Sequence, residues 1–262
     1  MSRVSAITSC YKSEKYLESF LKNVKKQSYD NFEVILELND PSKEEINIVK
    51  KYEKKLNSIL NVEISKSLNT MSKTWNNCIN RSTGKYLCIW NVDDQRTKNS
   101  IELMVNAFDD EQIIDVVFGD YFEVKRFKSK RGKLINNSKN LKYLNIGMIL
   151  GPFFMFKKDL INKYGYFDEQ LLTGADYDFA MRILDINKIK YINKNLGYFL
   201  NEGSGSSTNP NTKQPLERTV VELRYGIRVL DKNLINEAKS RYDINNLYLN
   251  NKAYPVSNYI YN

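Results

Sequence analysis

The chain is 262 residues long, carries a formal net charge of +9 and contains no histidine. Its hydrophobic fraction of 42% is enough to bury the core of one large domain or of two small ones. The missing histidine excludes Ser–His and Cys–His nucleophiles, imidazole-ligated zinc and an imidazole base. Any general base is therefore Asp, Glu, Lys, Tyr or Cys, and any metal site is built mainly of oxygen ligands, which suit Mg²⁺ or Mn²⁺.

Targeting and redox features favour the cytoplasm. The sequence has no signal-peptide pattern and no apolar run of about 18 residues. Its three cysteines, Cys10, Cys78 and Cys88, are odd in number and lack metal-binding spacing. Such cysteines are typical of reduced thiols in a reducing compartment, so we expect a cytoplasmic protein.

In chain order, the first half alternates strands and helices. Strands are predicted at 4–8, 32–38, 61–65 and 86–91 and from 115 onward, with helices at 16–24, 42–56, 71–79 and 101–108 between them. Ser42 and Glu45 have the spacing of a capping box, and Gly84 is the expected C-terminal stop of the third helix. This alternation favours an α/β fold with a largely parallel sheet.

Two acidic residues follow the predicted fourth strand directly. In an open α/β sheet, ligands bind beyond the carboxyl ends of the strands, where the polar turns 9–13, 39–42 and 91–95 would meet. A divalent cation would relieve the repulsion between Asp93 and Asp94 and leave positions open for phosphates, which points to a nucleoside diphosphate. The alternative is that one of the two acids caps the helix that follows.

The second half is less regular and contains a basic stretch. Residues 124–142 hold eight Lys or Arg and no acid. A charge block of this kind is usually a solvated loop, but it also suits an anionic acceptor or a membrane surface, so peripheral membrane contact is predicted through residues 125–142. Further on, helices are predicted at 176–185 and 216–230, around a flexible segment at 203–210.

Seven segments, taken in order, resemble motifs of the family-2 glycosyltransferases, which have the GT-A fold. They cover residues 3–207 and are Ser9–Lys12 (P-T-Y-N), Gln27–Tyr29 (Q-T/S-Y/F), Phe32–Ile35 (F-E-[IV]-I), Ser82–Tyr86 (A-x-G-x-Y), Asn91–Asp94 (D-x-D-D), Tyr164–Asp168 (G-G-F/Y-D) and Ala175–Arg182 (E-D-x-D-[LF]-x-x-R). The resemblance implies a Rossmann-like, mostly parallel sheet flanked by helices. It implies one catalytic domain, 1–215, with a nucleotide-sugar half at 1–120 and an acceptor half at 121–215, followed by a helical extension at 216–262.

The resemblance also assigns roles to individual residues. It implies nucleotide binding by Ser9, Tyr11, Asn39, Asp40, Asn91 and Asp93, metal binding by Asp93, Asp94 and Glu202, and catalysis by Asp176 as the base. The donor is then a nucleoside diphosphate sugar, by default a UDP-sugar, and the cofactor is Mn²⁺ or Mg²⁺. The acceptor is a hydroxyl of a glycan, lipid-linked or protein-linked molecule, and single displacement inverts the anomeric centre. Asp176 has an alternative role as the cap of the helix that it opens.

Three departures from the family pattern keep other functions open. Asn91 and Ala175 replace acids of the motifs, and Thr74–Asn76 lacks the arginine of A-R-N, for which Lys73 is only a candidate substitute. These changes suit a binding protein of the same fold without catalysis. A nucleotidyltransferase is disfavoured because residues 9–13 contain no glycine. Nucleic acid is not expected as a partner, because the basic stretch holds a single aromatic residue, Phe127.

Overall fold

The computed structural model describes residues 3–138, 147–183, 188–203, 212–227 and 229–259. Most of the predicted flexible segment and the basic residues Lys139 and Lys142 lie outside these ranges. The elements are β1 (Val4–Cys10), α1 (Glu14–Val24), β2 (Phe32–Asn39), α2 (Lys43–Glu53), β3 (Leu60–Ser65), α3 (Met71–Arg81), β4 (Tyr86–Ile89), β5 (Gln95–Arg96), α4 (Ser100–Asp110), β6 (Val116–Val124), β7 (Lys133–Ile135), β8 (Met155–Lys157), α5 (Asp159–Tyr164), α6 (Ala175–Ile183), β9 (Ile189–Leu200), α7 (Gln214–Arg224), α8 (Lys232–Arg241), β10 (Asn246–Leu249), β11 (Lys252–Pro255) and a short 3-10 helix (Val256–Asn258).

A single mixed sheet forms the centre of the protein. Within the described ranges its strand order is β3-β2-β1-β4-β8-β6-β9-β5, and β7 pairs with β6. β1 is parallel to β2 and to β4, and β2 is parallel to β3. β8 enters antiparallel between β4 and β6. The predicted α/β fold with a parallel first half is therefore confirmed.

Alternation along β1 divides the core into two layers. Val4 and Ala6 belong to a buried cluster with residues of α1, α2 and α4 on one face of the sheet. Ile7 belongs to a second cluster with residues of α3, α5, α6 and α7 on the other face. Side chains of a strand point alternately to opposite faces, so one strand supplies both cores.

Two local predictions had different outcomes. The capping box at the start of α2 is confirmed, since Glu45 N–H donates to Ser42 Oγ and Ser42 N–H donates to the Glu45 carboxylate. Gly84 was wrong as a helix stop, because Ser82 is the C-cap of α3. A Cβ at Gly84 would lie 2.6 Å from Ser5 N, so the glycine is needed where the chain passes against β1.

The C-terminal region holds more than the predicted helices. Helix α7 ends at Arg224, earlier than expected, and Gly226 follows it in the left-handed region with φ 69°. After α8, β10 and β11 form an antiparallel hairpin that the sequence did not predict. Across its described ranges the chain forms no helix with the length and apolarity needed to span a membrane.

Four buried ionic side chains fasten this region to the rest of the protein. Arg224 Nη1 lies 2.8 Å from Asp168 Oδ2 and 2.9 Å from Asp178 Oδ1. Arg182 Nε lies 3.0 Å from the other carboxylate oxygen of Asp178. All four side chains are fully buried, and each charge lies next to an opposite one, which a buried charge requires.

Candidate active site

A cavity of about 580 Å³ opens at the carboxyl ends of the parallel strands. Its wall combines residues after β1 and β4 with the segment that enters α6. Of the predicted site residues, Ser9, Tyr11, Asn91, Asp93 and Asp176 line it. The topology therefore brings these five together, at the edge of the sheet where ligands bind in open α/β folds.

One wall of the cavity is built by the turn after β1. Tyr11 is 39% exposed, and Lys12 next to it adopts a left-handed backbone with φ 49°. Asp40, which follows β2, is also left-handed with φ 44°. Non-glycine residues in this region are uncommon, and they concentrate at functional turns.

Neither Asn39, the last residue of β2, nor Asp40 lines the cavity. The Asn39 amide is buried and donates to Thr74 Oγ1 at 2.9 Å and to Ser9 Oγ at 3.4 Å. Its carbonyl oxygen has no hydrogen-bond partner among the described residues. Asn39 therefore positions Ser9, which does line the cavity.

The two adjacent acids have different environments. Asp93 lines the cavity, whereas Asp94 is 1% exposed. Asp94 accepts from Leu200 N–H at 3.1 Å and from the Asn91 amide at 3.4 Å, which ties the loop to the end of β9. Asn99, and neither acid, occupies the N-cap position of α4, so the capping alternative was wrong.

Both carboxyl groups titrate above their ordinary range. Burial raises the pKa of Asp93, and the negative charge of Glu202 raises it further. Burial, followed by the charge of Asp93, raises the pKa of Asp94 well above its usual value. Negative charge in this loop is thus poorly compensated by the protein.

Glu202 lies beyond the end of β9 and is hydrogen-bonded by residues of α1 and of the turn after β6. Its carboxylate accepts from Lys15 Nζ at 2.5 Å, from Tyr16 OH at 3.0 Å and from Phe127 N–H at 3.2 Å. The Tyr16 and Phe127 rings meet edge to face at 4.9 Å. Glu202 therefore joins α1 to the turn after β6, close enough to Asp93 to act on its charge.

Asp176 lies in the first turn of α6 and lines the cavity. The helix begins at Ala175, and the Asp176 carboxylate accepts from Tyr177 N–H at 2.8 Å. Burial raises the pKa of Asp176 to about 6, with the negative charge of Glu217 as a further cause. A carboxylate with a pKa near neutrality is suited to accept a proton.

The fit of a divalent cation depends on these carboxylates. No group of three or more acidic or thiol side chains within the described ranges is arranged to hold a metal. Mg²⁺ and Mn²⁺ nevertheless bind through one or two carboxylates when substrate phosphates complete the shell. Asp93 lines the cavity with its charge uncompensated, so the donor set fits a cation that arrives with a diphosphate.

Several residues of the cavity wall carry no signal in the sequence. Trp75 has helical spacing typical of a core residue, and Tyr121 is one of many aromatic residues in strands. Gln214 and Arg218 reach the cavity from α7, far along the chain. Lys73, a candidate substitute for the missing arginine, is paired with Glu169 at 3.1 Å.

Comparison with known proteins gives relatives of one kind. The chain is 26% identical over 190 residues to an uncharacterised glycosyltransferase of Methanocaldococcus jannaschii, covering 69% of this chain and 64% of that protein. It is 25% identical over 211 residues to TarS of Staphylococcus aureus, a poly(ribitol-phosphate) β-N-acetylglucosaminyltransferase, covering 78% of this chain and 36% of TarS. The chain thus spans less than two thirds of either relative.

Solved structures establish the fold. TarS 1–349 in complex with UDP-GlcNAc has a TM-score of 0.66 and 22% identity, covering 92% of this chain and 72% of that one. A mannosyltransferase of Pyrobaculum calidifontis in complex with GDP-Man and Mn²⁺ has a TM-score of 0.63 and 17% identity, covering 90% and 69%. The predicted GT-A architecture is confirmed. The sequence model described as Glycosyl transferase family 2 matches residues 5–165, more than half of the chain, and the protein belongs to that family.

Proposed function

We propose that the protein is a metal-dependent, inverting glycosyltransferase that moves a sugar from a nucleoside diphosphate sugar to an acceptor hydroxyl. One observation carries this proposal: Asp93 and Asp176 line a single cavity together with the turn after β1. The cavity thus offers a carboxylate for a cation on one wall and a carboxylate with a raised pKa on another.

The wall that contains the turn after β1 binds and orients the nucleoside. In this proposal Tyr11 packs against the base, and Ser9, supported by Asn39, and Asn91 hydrogen-bond the nucleoside. Asp40, which follows β2 outside the cavity wall, is the further candidate contact of the nucleoside. Binding at this side directs the diphosphate toward Asp93.

Asp93 would hold Mn²⁺ or Mg²⁺, with Glu202 near enough to contribute if it leaves Lys15. When bound, the cation stabilises charge on the diphosphate leaving group. Asp94 supports this arrangement from behind, because its hydrogen bonds fix the loop against β9. The assignment of Asp93 rests on its charge and on its place in the cavity wall.

Asp176 acts on the acceptor. Its carboxylate takes the proton of the acceptor hydroxyl while that oxygen forms a bond to the anomeric carbon. The bond from this carbon to the phosphate oxygen breaks, and its electron pair leaves with the nucleoside diphosphate. One displacement without a covalent enzyme intermediate inverts the configuration.

The relatives indicate which donors to test. TarS 1–349 is solved with UDP and with UDP-GlcNAc, and the P. calidifontis mannosyltransferase with GDP-Man and Mn²⁺. We take a UDP-sugar as the first candidate donor and a GDP-sugar as the second.

Nucleotide-dependent stabilisation tests the donor site. With UDP and Mn²⁺ we expect the melting temperature to rise, because a ligand that binds only the folded state stabilises it by mass action. At one hundred times the dissociation constant the gain is about 2.7 kcal/mol. Thermal unfolding with UDP, GDP, dTDP and CDP, each with and without Mn²⁺, measures the effect, and Asp93→Asn should remove its metal dependence.

Asp115→Asn is the matched control, since Asp115 is also partly exposed but is paired with Lys157 away from the cavity. It should retain the full shift. No shift with any nucleotide and metal would contradict the proposed donor site. A shift without turnover of the matching nucleotide sugar would favour the binding protein without catalysis.

The basic turn between β6 and β7 offers a second contact. Lys128, Lys130 and Arg131 are exposed there, and Lys133 is exposed at the start of β7. Lys125 is paired with Glu123 at 2.6 Å. The turn lies beside the cavity, because Phe127 contacts Tyr16, which lines it. We therefore propose that the turn attracts a phosphate-bearing acceptor, lipid-linked or polymeric.

Neutralising the turn tests this contact. Changing Lys128, Lys130, Arg131 and Lys133 to Gln is expected to weaken binding to anionic phosphatidylglycerol vesicles at least tenfold, since each cation near such a surface contributes about 1 kcal/mol. Co-sedimentation over a salt series measures it. The control changes Lys50, Lys51, Lys54 and Lys55, which are four exposed cations around the end of α2. Equal losses in both variants would sink the assignment.

A further inference from the structure

A buried carboxylate from α7 lies under the segment that leads into α6. Glu217 is fully buried. It accepts hydrogen bonds from three consecutive backbone amides, those of Leu172, Thr173 and Gly174, at 2.6–3.0 Å. Thr173 Oγ1 donates to it as well, at 2.9 Å. Successive amides that converge on one anion form a nest, a stable but strongly directional arrangement.

The nest fixes backbone that lines the cavity. Leu172, Thr173 and Gly174 all contribute to its wall, and Asp176 follows two residues later. Three consecutive N–H groups would be without these bonds if the carboxylate were removed, and a buried amide without a partner is costly. The position of Asp176 relative to the cavity therefore depends on residues 172–174.

Helix α7 is itself packed into the core and ion-paired to its neighbours. Val220 and Val221 are fully buried in the cluster on this face of the sheet. One turn further, Arg224 binds Asp168, which precedes the nest, and Asp178, which lies on α6. Glu217 and Arg224 thus hold the segment 168–178 at two points from one helix.

We propose that Glu217 is a positioning residue for the transfer reaction, which holds the segment 172–174 so that the Asp176 carboxylate faces the acceptor. This inference rests on the proposed role of Asp176 as the base. Glu217 lies outside residues 5–165, the region that the family model matches.

The charged and polar groups around the nest determine how a substitution of Glu217 affects the pKa of Asp176. Tyr242 OH, after α8, donates to the second carboxylate oxygen at 2.9 Å. Arg218 and Glu222 of α7 form an ion pair with each other, and both act on Tyr177 of α6. The charge of Glu217 helps to raise the pKa of Asp176. Loss of that charge should therefore lower this pKa.

Glu217→Gln tests the proposal because it keeps the size of the side chain and removes its charge. We expect amide hydrogen exchange at residues 172–174 to become at least tenfold faster. We expect kcat for UDP release from UDP-GlcNAc to fall at least tenfold, while KM for the donor stays within about twofold. The pKa of Asp176, followed by NMR of its carboxyl carbon, should decrease.

Glu33→Gln is the matched control. Glu33 is also a buried carboxylate, and it accepts from Ser5 Oγ, Thr83 N–H and Thr83 Oγ1 away from the cavity. This variant should lose stability but leave exchange at 172–174, kcat and the pKa of Asp176 unchanged. If Glu217→Gln does not fold, Thr173→Val removes one donor to the nest and should give smaller changes in the same direction.

The outcomes separate the two proposals. Unchanged exchange at 172–174, or an unchanged pKa of Asp176, would overturn the positioning role. If the wild type releases no UDP from UDP-GlcNAc, the choice of donor fails, whereas exchange and the Asp176 titration still decide the role of Glu217. Equal effects in Glu217→Gln and Glu33→Gln would reduce Glu217 to a structural residue.

Discussion

Asp176→Asn is expected to lower kcat by about 10²–10⁴-fold and, at the same time, to raise the melting temperature at neutral pH. The loss of rate follows from the removal of the general base, whose contribution is typically of this size. Asn keeps an oxygen that can accept from Tyr177 N–H, so the start of α6 should be preserved. One substitution should therefore separate catalysis from stability.

The gain in stability follows from the sign of the pKa shift. Burial raises the pKa of Asp176 from 3.8 to about 6, so the folded state holds its proton more tightly than the unfolded chain. Between these values the fold loses stability as the pH rises, and above pH 6 ionised Asp176 costs up to about 2–3 kcal/mol. Asn carries no charge and avoids this cost.

Two pH series measure both effects. Turnover of the wild type should fall as the pH drops through about 6, because Asp176 becomes protonated. The difference in melting temperature between wild type and Asp176→Asn should be present at pH 7.5 and vanish near pH 4. Asp115→Asn should show neither effect. Retained turnover in Asp176→Asn would remove the residue from the mechanism.

Arg224→Leu is expected to reduce the free energy of unfolding by about 3–5 kcal/mol. The substitution leaves Asp168 and Asp178 as buried carboxylates, with Arg182 as the remaining cation of the cluster. Breaking a buried ionic group by removing one partner has a cost of this size, because the other charge remains without compensation.

Urea unfolding compares this variant with Arg241→Leu. Arg241 pairs with Glu237 on the surface of α8 at 3.2 Å, and its side chain is 59% exposed. Exposed pairs contribute about 0–1 kcal/mol, so this control should be nearly neutral. If the two variants lose equal stability, the buried cluster does not anchor α7.

The sequence was informative where local periodicity and tertiary structure agree. The strands and helices of the parallel half were predicted from patterns that β1–β4 and α1–α4 each carry within themselves. The strand β8 was not predicted, because Met155 and Phe156 lie in an apolar run and become a strand by pairing with Val117 and Leu87. The hairpin at 246–255 was hidden by its Asn- and Tyr-rich composition.

The order of the motifs predicted a shared site for Ser9, Tyr11, Asn91, Asp93 and Asp176. It did not predict which residues surround them. Asp93 and Asp94 are adjacent acids that the sequence does not distinguish. In the structure Asp94 is the one that accepts a hydrogen bond from Leu200 N–H. Glu217 contacts amides more than 40 residues earlier in the chain. No local pattern in the sequence encodes such a pair, so the environment of Asp176 could be identified only from the structure.

The three buried cysteines can serve as intrinsic reporters of local unfolding. Burial raises the pKa of each thiol, that of Cys78 to about 11, so alkylating reagents should react slowly with the native state. Cys10 and Cys88 lie in the core on one face of the sheet and Cys78 in the core on the other. Mass spectrometry of alkylated peptides can therefore time the exposure of each face separately, without any engineered label.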